Sequence, residues 1–208
     1  IECFDNSNIQ GSSPVAACVV FINGKPAKKE YRQYNIKTVK GPDDYASMEE
    51  VVLRRYRRMI KEKKSLPNLI IIDGGKGQLN SAMSALKKLN INNKITVLGI
   101  AKRLEEIYST KDPIPLYLDK RSESLKIIQH MRNEAHRFAI TFHRNKRSNK
   151  ALNSSIDLIP GIGEKTKTTL LKKYKSLKKI KETPEDLIAK DVGVSKAKKL
   201  MSFLNSSN

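Results

Sequence analysis

Short apolar runs and amphipathic segments alternate along the first two thirds of the chain. Residues 1–8, 15–22 and 28–36 have the pattern of strands separated by turn sequences, which predicts an antiparallel meander. Helical spacing of apolar residues predicts helices at 45–63, 78–89 and 124–147, with strands at 69–72 and 95–101 and a short hairpin within 104–118. A meander followed by strand–helix–strand predicts an α/β fold, a mixed sheet flanked by helices.

The pattern changes after the third predicted helix. Residues 149–155 are polar and rich in Ser and Asn, which is typical of a linker. From Ile156 onward, short helical segments flank a glycine turn, and the same plan then repeats. We therefore predict a first domain at 1–148, a linker at 149–155, and a small all-α domain with weak internal duplication at 156–208.

Charge narrows the range of partners. Lys and Arg number 41 against 21 Asp and Glu, for a net charge of +20, and the excess is spread along the chain. Such a surface favours nucleic acid, whereas a merely lysine-rich composition and binding to an anionic membrane are the alternatives. No apolar stretch approaches the ~20 residues that span a bilayer, so we expect no membrane segment.

Two cysteines and the first residue give further expectations. Cys3 and Cys18 lie in strand-like runs without the spacing of metal ligands, which predicts buried, reduced thiols in a cytosolic protein. No signal peptide is recognisable. The chain starts without Met inside a predicted core strand, which suggests part of a longer polypeptide.

An aspartate ends each of two apolar runs. Asp5 follows the first predicted strand and Asp73 follows the strand at 69–72, each before loop-forming residues. Turn capping would explain either residue alone. If the two strands are neighbours, however, both carboxylates lie at one carboxyl edge of the sheet and can hold Mg²⁺ or Mn²⁺ for attack on a phosphodiester. With the positive charge, this pair predicts a metal-dependent nuclease.

Other candidates for this site are less specific. Asp43 and Asp44 precede a predicted helix, where capping explains one of them and the other is a candidate metal or water ligand. All three histidines fall on the late helix, and only His136 and His143 are spaced to share a face. Either imidazole is a candidate to ligate a metal or accept a proton, and spacing alone does not choose between them.

Phosphate contacts are expected at two helices of the first domain. The sequence Asp73-Gly74-Gly75-Lys76-Gly77-Gln78 lacks the spacing of a nucleotide-binding P-loop. It instead predicts a tight strand-to-helix turn with Lys76 and the helix start near a backbone phosphate. On the preceding helix, Arg54 and Arg58 belong to an arginine run that is either a phosphate-contacting face or merely solvated.

Glycine turns carry the signal in the second domain. Ile159-Pro160-Gly161-Ile162-Gly163 resembles a helix-hairpin-helix motif, in which Gly161 and Gly163 let backbone N–H groups approach a phosphate without reading bases. The sequence Val192-Gly193-Val194-Ser195 resembles a second copy, with Ser195 in the place of a glycine and able to serve as an N-cap. A simple turn in a helical bundle is the alternative. The neighbouring cations that would add backbone contacts are Lys165, Lys167, Lys196 and Lys198.

Four motifs together resemble one family. They are Ile1-Glu2-Cys3-Phe4-Asp5, Gly41-Pro42-Asp43-Asp44-Tyr45-Ala46, Ile72-Asp73-Gly74-Gly75-Lys76-Gly77-Gln78 and Arg132-Asn133-Glu134-Ala135-His136-Arg137-Phe138-Ala139. In this order, with the glycine turns after them, they are similar to the C-terminal half of the UvrC family, the nuclease component of the UvrABC excinuclease in bacterial nucleotide excision repair. The resemblance covers nearly the whole chain.

The resemblance implies a fold, a reaction and partners. It implies an RNase H-like endonuclease domain followed by a tandem helix-hairpin-helix, (HhH)₂, domain, which cuts damaged double-stranded DNA 5′ to a lesion with Mg²⁺ or Mn²⁺. The family's acidic site residues fall on Asp5, Asp44 and Asp73, and its histidine falls on His136 rather than His143. It also implies DNA marked by UvrA and loaded with UvrB, and a GIY-YIG nuclease domain N-terminal to this chain for the 3′ cut.

Some positions depart from that family's usual pattern, and other functions compete. Asn6, Asn8 and Asn133 stand where family members commonly carry an aliphatic residue, His and Asp. The enzymatic rival is another RNase H-like nuclease, such as an endonuclease V relative or a junction resolvase. A rival of another class is a non-catalytic DNA-binding scaffold in which the carboxylates only cap turns.

Overall fold

The computed structural model describes residues 1–7, 14–101 and 106–206. The strands are β1 (Glu2–Ser7), β2 (Val15–Ile22), β3 (Lys25–Pro26), β4 (Arg32–Asn35), β5 (Leu69–Asp73), β6 (Thr96–Ile100) and β7 (Ile107–Ser109). The helices are α1 (Asp44–Lys61), α2 (Lys76–Lys88), α3 (Glu123–Asp157), α4 (Glu164–Tyr174), α5 (Leu177–Lys181), α6 (Glu185–Val192) and α7 (Val194–Ser206). A short 3₁₀ helix spans Lys28–Glu30.

The strands form one mixed sheet. Its order is β3-β2-β1-β5-β6-β7, with β4 also paired to β2. β1, β5 and β6 are parallel neighbours, whereas β2 is antiparallel to β1 and β7 is antiparallel to β6. The predicted α/β class with a mixed sheet is therefore confirmed.

Element boundaries differ from prediction at a few places. The third predicted strand, 28–36, starts as the 3₁₀ helix and forms a strand only at Arg32–Asn35. Within the predicted hairpin, β7 meets its return segment in a single bridge between Ile107 and Leu116. Residues 102–105 of this hairpin, and residues 8–13, including most of the first predicted turn, lie outside the described residues.

Helices cover both faces of the sheet. The side chains of β1 alternate between these two faces. Phe4 faces α1, where its ring centroid lies 6.2 Å from that of Tyr56. Asp5 faces α3, where it meets His136. α2 packs beside α1, and the core of this unit is the buried apolar layer between sheet and helices. The helices thus cover the two faces of the sheet, and solvent reaches the sheet at its carboxyl edge.

A buried polar network fixes β1 to α1. Glu2 is 3% exposed and Arg55 is 8% exposed. Arg55 Nε donates to Oε2 of Glu2 at 2.6 Å, and its Nη2 donates to Oε1. The Tyr56 hydroxyl donates to Oε2 at 2.7 Å, and the Sγ of Cys18 also lies against this carboxylate. A bidentate ion pair with an added hydroxyl donor satisfies charges that would otherwise be costly to bury.

The chain divides into two compact units, residues 1–142 and 143–208. Residues 149–155, predicted to be a linker, instead belong to helix α3, which continues to Asp157. Leu152 and Ile156, four residues apart on one helix face, are fully buried in the core of the second unit. Because Ser and Asn residues surround these two apolar residues, the sequence pattern predicted a linker and not a helix.

Five helical segments make up the described part of the second unit: the end of α3, α4, α5, α6 and α7. Their shared core includes Leu170, Ile180, Ile188 and Leu200, all fully buried. Among the described residues, no helix combines the length and apolar character needed to cross a membrane.

Candidate active site

Two buried aspartates lie at the carboxyl edge of the sheet. β1 and β5 are parallel neighbours, and their register pairs Phe4 with Ile72, one residue before Asp5 and Asp73. Only 1% of Asp5 and 4% of Asp73 is exposed. Parallel strands present their carboxyl ends at one edge, where open sheets bind ligands. The fold therefore brings together the two carboxylates that the strand pattern singled out.

His136 joins this pair from α3. Its Nδ1 lies 3.1 Å from Oδ2 of Asp5, 131 positions away in the sequence. Asp5, Asp73 and His136 each offer one ligand atom, and these atoms lie within 4.8 Å of one another. The imidazole is 51% exposed while the Asp5 side chain is 2% exposed. The cluster is thus rooted in the core and open to solvent on its histidine side.

The donor set suits a hard divalent cation. Two carboxylate oxygens and one imidazole nitrogen are ligands that Mg²⁺ and Mn²⁺ accept. Two carboxylates buried close together repel each other, and a cation held between them offsets this repulsion. Among the described residues, this is the one group of three His, Cys, Asp or Glu side chains with such geometry. The residues present therefore fit a metal.

The other two histidines lie elsewhere on α3. The His130 ring meets Phe21 edge-on, with 5.0 Å between ring centroids. His143 is fully buried and belongs to the second unit. Spacing left His136 and His143 as equal candidates, and the structure places His136 beside Asp5.

Cys3 lies beneath the carboxylates, two residues before Asp5 on the same face of β1. Burial raises the pKa of its thiol well above the usual value, and the charges of Asp73 and Asp5 raise it further, while Arg132 opposes them. The thiol therefore stays protonated at neutral pH and adds no third negative charge to the site.

Asp43 and Asp44 have different positions at the start of α1. Asp43 is the N-cap, and its Oδ1 accepts hydrogen bonds from the backbone N–H groups of Tyr45 at 3.0 Å and Ala46 at 2.9 Å. Asp44 is the first helical residue, is exposed, and is outside the three-residue cluster. Capping therefore accounts for Asp43, while the candidate site role of Asp44 rests on the resemblance.

Asn6 connects the cluster to Asp44, a contact that sequence reasoning missed. Its Nδ2 donates to the backbone oxygen of Asp44 at 2.9 Å. Its Oδ1 is buried and has no hydrogen-bond partner among the described residues. The only indication in the sequence of a role for Asn6 was that it directly follows Asp5. Through this bond the end of β1 and the start of α1 are held together.

Lys76 begins α2, directly beside the β5 turn. Its Nζ donates to the backbone oxygen of Pro113 at 2.8 Å and lies 5.2 Å from the centroid of the Tyr108 ring. The helix N-cap, Gly75, supplies no side-chain hydrogen bond. The ammonium group of Lys76 is therefore held at the Pro113 carbonyl, and the backbone N–H groups at the start of α2 have no side-chain cap.

The arginine run of α1 does not form one uniform face. Arg54 Nη1 donates to the backbone oxygen of Asn35 and pairs with Glu50, both at 2.7 Å. Arg58 is 71% exposed and pairs with Glu62 at 2.5 Å. Arg55, from the same run, points inward to Glu2. Arg58 is accordingly the more accessible of the two predicted phosphate contacts.

Both glycine turns of the second unit join consecutive helices. Gly161, between α3 and α4, has φ +83°, and Gly193, between α6 and α7, has φ +89°. L-residues rarely adopt this region, so glycine is required for the turn itself. Gly163 is different: it is the exposed N-cap of α4 with an ordinary φ of −85°, and a Cβ there would meet nothing within 4 Å.

The polar residues after these turns differ in accessibility. Ser195 is exposed at the second position of α7 and is not its N-cap, because Gly193 ends α6 and α7 begins directly at Val194; that detail of the prediction is wrong. Lys165 is exposed, whereas Lys167 pairs with Asp157 at 2.5 Å. Lys196 Nζ donates to Oγ1 of Thr166 at 3.2 Å.

Comparison with known proteins agrees with this architecture. Residues 1–140 match the family model of the UvrC RNase H endonuclease domain. Three similar relatives carry the name UvrABC system protein C. That of Flavobacterium psychrophilum is 66% identical over 203 residues, 98% of this chain and 34% of the relative. That of Flavobacterium johnsoniae is 62% identical over 207 residues, 100% of this chain and 35% of the relative.

The third, from Porphyromonas gingivalis, is 57% identical over 204 residues, 98% of this chain and 34% of the relative. The chain thus spans about a third of the length of these relatives. The family match covers the sheet, α1, α2 and the part of α3 that carries His136. The chain therefore belongs to the UvrC RNase H endonuclease domain family.

Proposed function

We propose that this chain is a divalent-metal-dependent DNA endonuclease that makes the 5′ incision beside a lesion in bacterial nucleotide excision repair. The convergence of Asp5, Asp73 and His136 within 4.8 Å carries the proposal. A net charge of +20 favours a polyanionic substrate. Membership of an endonuclease domain family supports the reaction class.

The residues of the cluster have different proposed roles in metal binding and proton transfer. Asp5 and Asp73 would hold Mg²⁺ or Mn²⁺ through carboxylate oxygens, with His136 as the third ligand or as a proton acceptor. A divalent ion bound there would supply Lewis acidity and lower the pKa of a bound water. The contact between His136 Nδ1 and Asp5 orients the imidazole, so its half-exposed ring reaches the side from which a phosphodiester approaches.

Asp44 has a supporting position in this proposal. It is exposed beside the cluster, and Asn6 fixes its backbone. From there its carboxylate orients a water or completes the metal ligands. Hydrolysis leaves a 5′-phosphate and a 3′-hydroxyl, the products expected of metal-assisted attack by water on the phosphodiester.

The second unit acts as the DNA-holding part, a tandem helix-hairpin-helix domain. Gly161, Gly163 and Gly193 allow close approach of backbone N–H groups to phosphate oxygens. The exposed Lys165, with Lys167, Ser195 and Lys196, adds contacts that do not depend on base sequence. Lys76, Arg54 and Arg58 extend the same role to the first unit. The expected partners are damaged double-stranded DNA and UvrB, with UvrA acting earlier; the relatives' name, UvrABC system protein C, supports a multi-component system.

Nicking of a defined duplex tests the catalytic part. A 5′-labelled duplex with one bulky lesion and a pre-made 3′ nick is incubated with the chain, UvrA and UvrB, in Mn²⁺ or in EDTA. We expect a 5′ nick in Mn²⁺ that Asp73→Ala and His136→Ala abolish. DNA binding without a nick by intact protein would favour the scaffold, and cleavage of inosine-containing DNA without partners would favour another RNase H-like nuclease.

Gly163→Ala tests the DNA-holding part. A Cβ at Gly163 meets open space in the free protein and its φ is ordinary, so the variant should fold normally and lose affinity only if a ligand backbone approaches there. The control is the melting temperature of the variant, which should equal that of the wild type because the added methyl group meets no neighbouring atom. Equal DNA affinity of Gly163→Ala and wild type would refute the hairpin assignment.

A further inference from the structure

A groove lies beside the candidate active site, between the start of α1 and the start of α2. Its walls are residues 42–45 and residues 75–78, and its volume is about 670 Å³. Asp44 lies in the first wall, and the second wall begins two residues after Asp73. The groove therefore adjoins the cluster of Asp5, Asp73 and His136 at the carboxyl edge of the sheet.

Tyr45 is the aromatic side chain of this groove. It is 59% exposed. It is nevertheless held in place, because a Cβ built on Gly77 would lie 2.4 Å from Cε1 and 2.8 Å from Cζ of the ring. The ring thus rests against the backbone of α2 and leaves more than half of its surface open.

The contact with Tyr45 leaves no room for a side chain at Gly77. It is the second residue of α2 and is not among the glycines with positive φ. Glycine disfavours a helix, and alanine would suit this position better on backbone grounds alone. A side chain at this position would overlap the Tyr45 ring where it now lies. Glycine at this position therefore permits the ring to rest against the start of α2.

The chemistry of the ring indicates its ligand. An exposed aromatic ring is a surface on which unpaired nucleobases stack, and such stacking tolerates every base. The groove itself is lined by Lys76 together with Asp43 and Asp44, so the attraction for a polyanionic strand comes from the net charge of +20 of the whole chain. Asp44 precedes Tyr45 and is tied to Asn6, which follows Asp5. A strand whose phosphate lies at the cluster thus brings a neighbouring base to the ring.

We propose that Tyr45 is a substrate-positioning residue that stacks on a nucleobase next to the phosphate held at the Asp5–Asp73–His136 cluster. This proposal rests on the endonuclease function and adds how the strand is placed in it. Stacking by the open face of the ring fixes the strand along the groove without reading its sequence. It also requires that the base be unpaired, so the enzyme would act on locally opened DNA.

Fluorescence of 2-aminopurine tests the stacking directly. Single-stranded oligonucleotides carrying 2-aminopurine at successive positions are titrated with the intact chain in Ca²⁺, and the base that stacks loses fluorescence. Because stacking without base readout sets no fixed register on the strand, we expect similar quenching at each interior position. Tyr45→Leu should lose the quenching and weaken binding about tenfold, within the range of base–aromatic stacking, whereas Tyr45→Phe should retain both.

A second variant changes the contact between the Tyr45 ring and Gly77. Gly77→Ala puts a methyl group where the ring lies, so it should lose the quenching while the melting temperature stays equal or rises. Adding Gly77→Ala to Tyr45→Leu should then cause no further loss. Tyr117→Leu is the matched control, since Tyr117 is also 59% exposed but its hydroxyl is held by Glu106; its quenching should equal that of wild type.

Several results separate this inference from the proposed function. Unchanged quenching in Tyr45→Leu would overturn the inference even if DNA is cut normally. Equal losses in Tyr45→Phe and Tyr45→Leu would also overturn it, because the hydroxyl and not the ring would then be the contact. If Tyr45→Leu impaired only partner-dependent nicking and left quenching intact, the ring would contact a protein and the inference would fail. Tyr45-dependent quenching in a chain that cuts no DNA would sustain the inference and refute the endonuclease.

Discussion

Breaking the ion pair behind β1 should be among the most destabilising single changes in the first unit. Arg55→Met removes the guanidinium and leaves the Glu2 carboxylate buried with only the Tyr56 hydroxyl and the Cys18 thiol beside it. Both charged side chains are nearly inaccessible, at 9% for Arg55 and 4% for Glu2, so water cannot replace the lost partner. Removing one member of a buried pair costs about 3–5 kcal/mol.

The double variant separates the ion pair from simple packing. Glu2→Gln removes the second charge, and an amide in that place can still accept from Tyr56. Replacing both members of a buried pair is often close to neutral, so Glu2→Gln with Arg55→Met should be more stable than Arg55→Met alone. We expect a coupling free energy of about 2 kcal/mol or more between the two positions.

Urea unfolding followed by circular dichroism measures these differences. For a unit of this size, about 3–5 kcal/mol corresponds to a melting temperature lower by about 10–20 °C. Arg58→Met is the matched control three residues further on, because its pair with Glu62 lies at the surface, and it should leave the melting temperature unchanged. An Arg55→Met variant that loses less than about 1 kcal/mol, or a double variant whose loss equals the sum of the single losses, would refute the reasoning.

Three further predictions address metal, pH and DNA. Mn²⁺ at a hundredfold excess over its Kd should raise the unfolding free energy of the wild type by about 2.7 kcal/mol and that of Asp73→Asn by much less, as read from melting curves. Burial opposes ionisation of Glu50, yet hydrogen bonds from Thr38, Arg54 and Lys37 lower its pKa below 4.5. That stabilisation is present at neutral pH and lost as the pH falls through the lowered pKa, so the stability deficit of Glu50→Gln should shrink between pH 6 and strongly acid pH; a constant deficit would contradict it. Lys165→Ala should reduce the slope of log affinity for DNA against log salt by about 1, whereas Lys178→Ala, the same change of charge on α5, should not.

The periodicity of the hydrophobic residues and the positions of turn-forming residues were sufficient to predict much of the first unit. The apolar runs before Asp5 and Asp73 marked two buried strands, and the strand–helix–strand order predicted the parallel pairing of β5 with β6. The sequence did not determine that β1 and β5 are neighbours, which the structure shows. The choice of His136 was not available from spacing, because His136 and His143 lie seven residues apart on one helix. Only the way in which α3 packs on the sheet distinguishes them, and that is a property of the tertiary structure.

Other features escaped prediction for stated physical reasons. Glu2 and Arg55 look like surface residues in the sequence, since a charged side chain gives no sign that it will be buried with its partner. Leu152 and Ile156 are two apolar positions within a polar stretch, too few to reveal a helix face. The contact between Tyr45 and Gly77 joins two helix starts that are distant in sequence, and the sequence predicted only a tight strand-to-helix turn at this glycine.

The separation between Asp5 and His136 has a consequence for synthesis of the protein. These two side chains meet across 131 positions of sequence, so a chain emerging from the ribosome carries both aspartates long before it carries the histidine. Contacts this far apart form late, because the intervening loop must first be closed. If the cluster cuts DNA, the capacity of this site to cut arises only in a chain that has completed and docked α3.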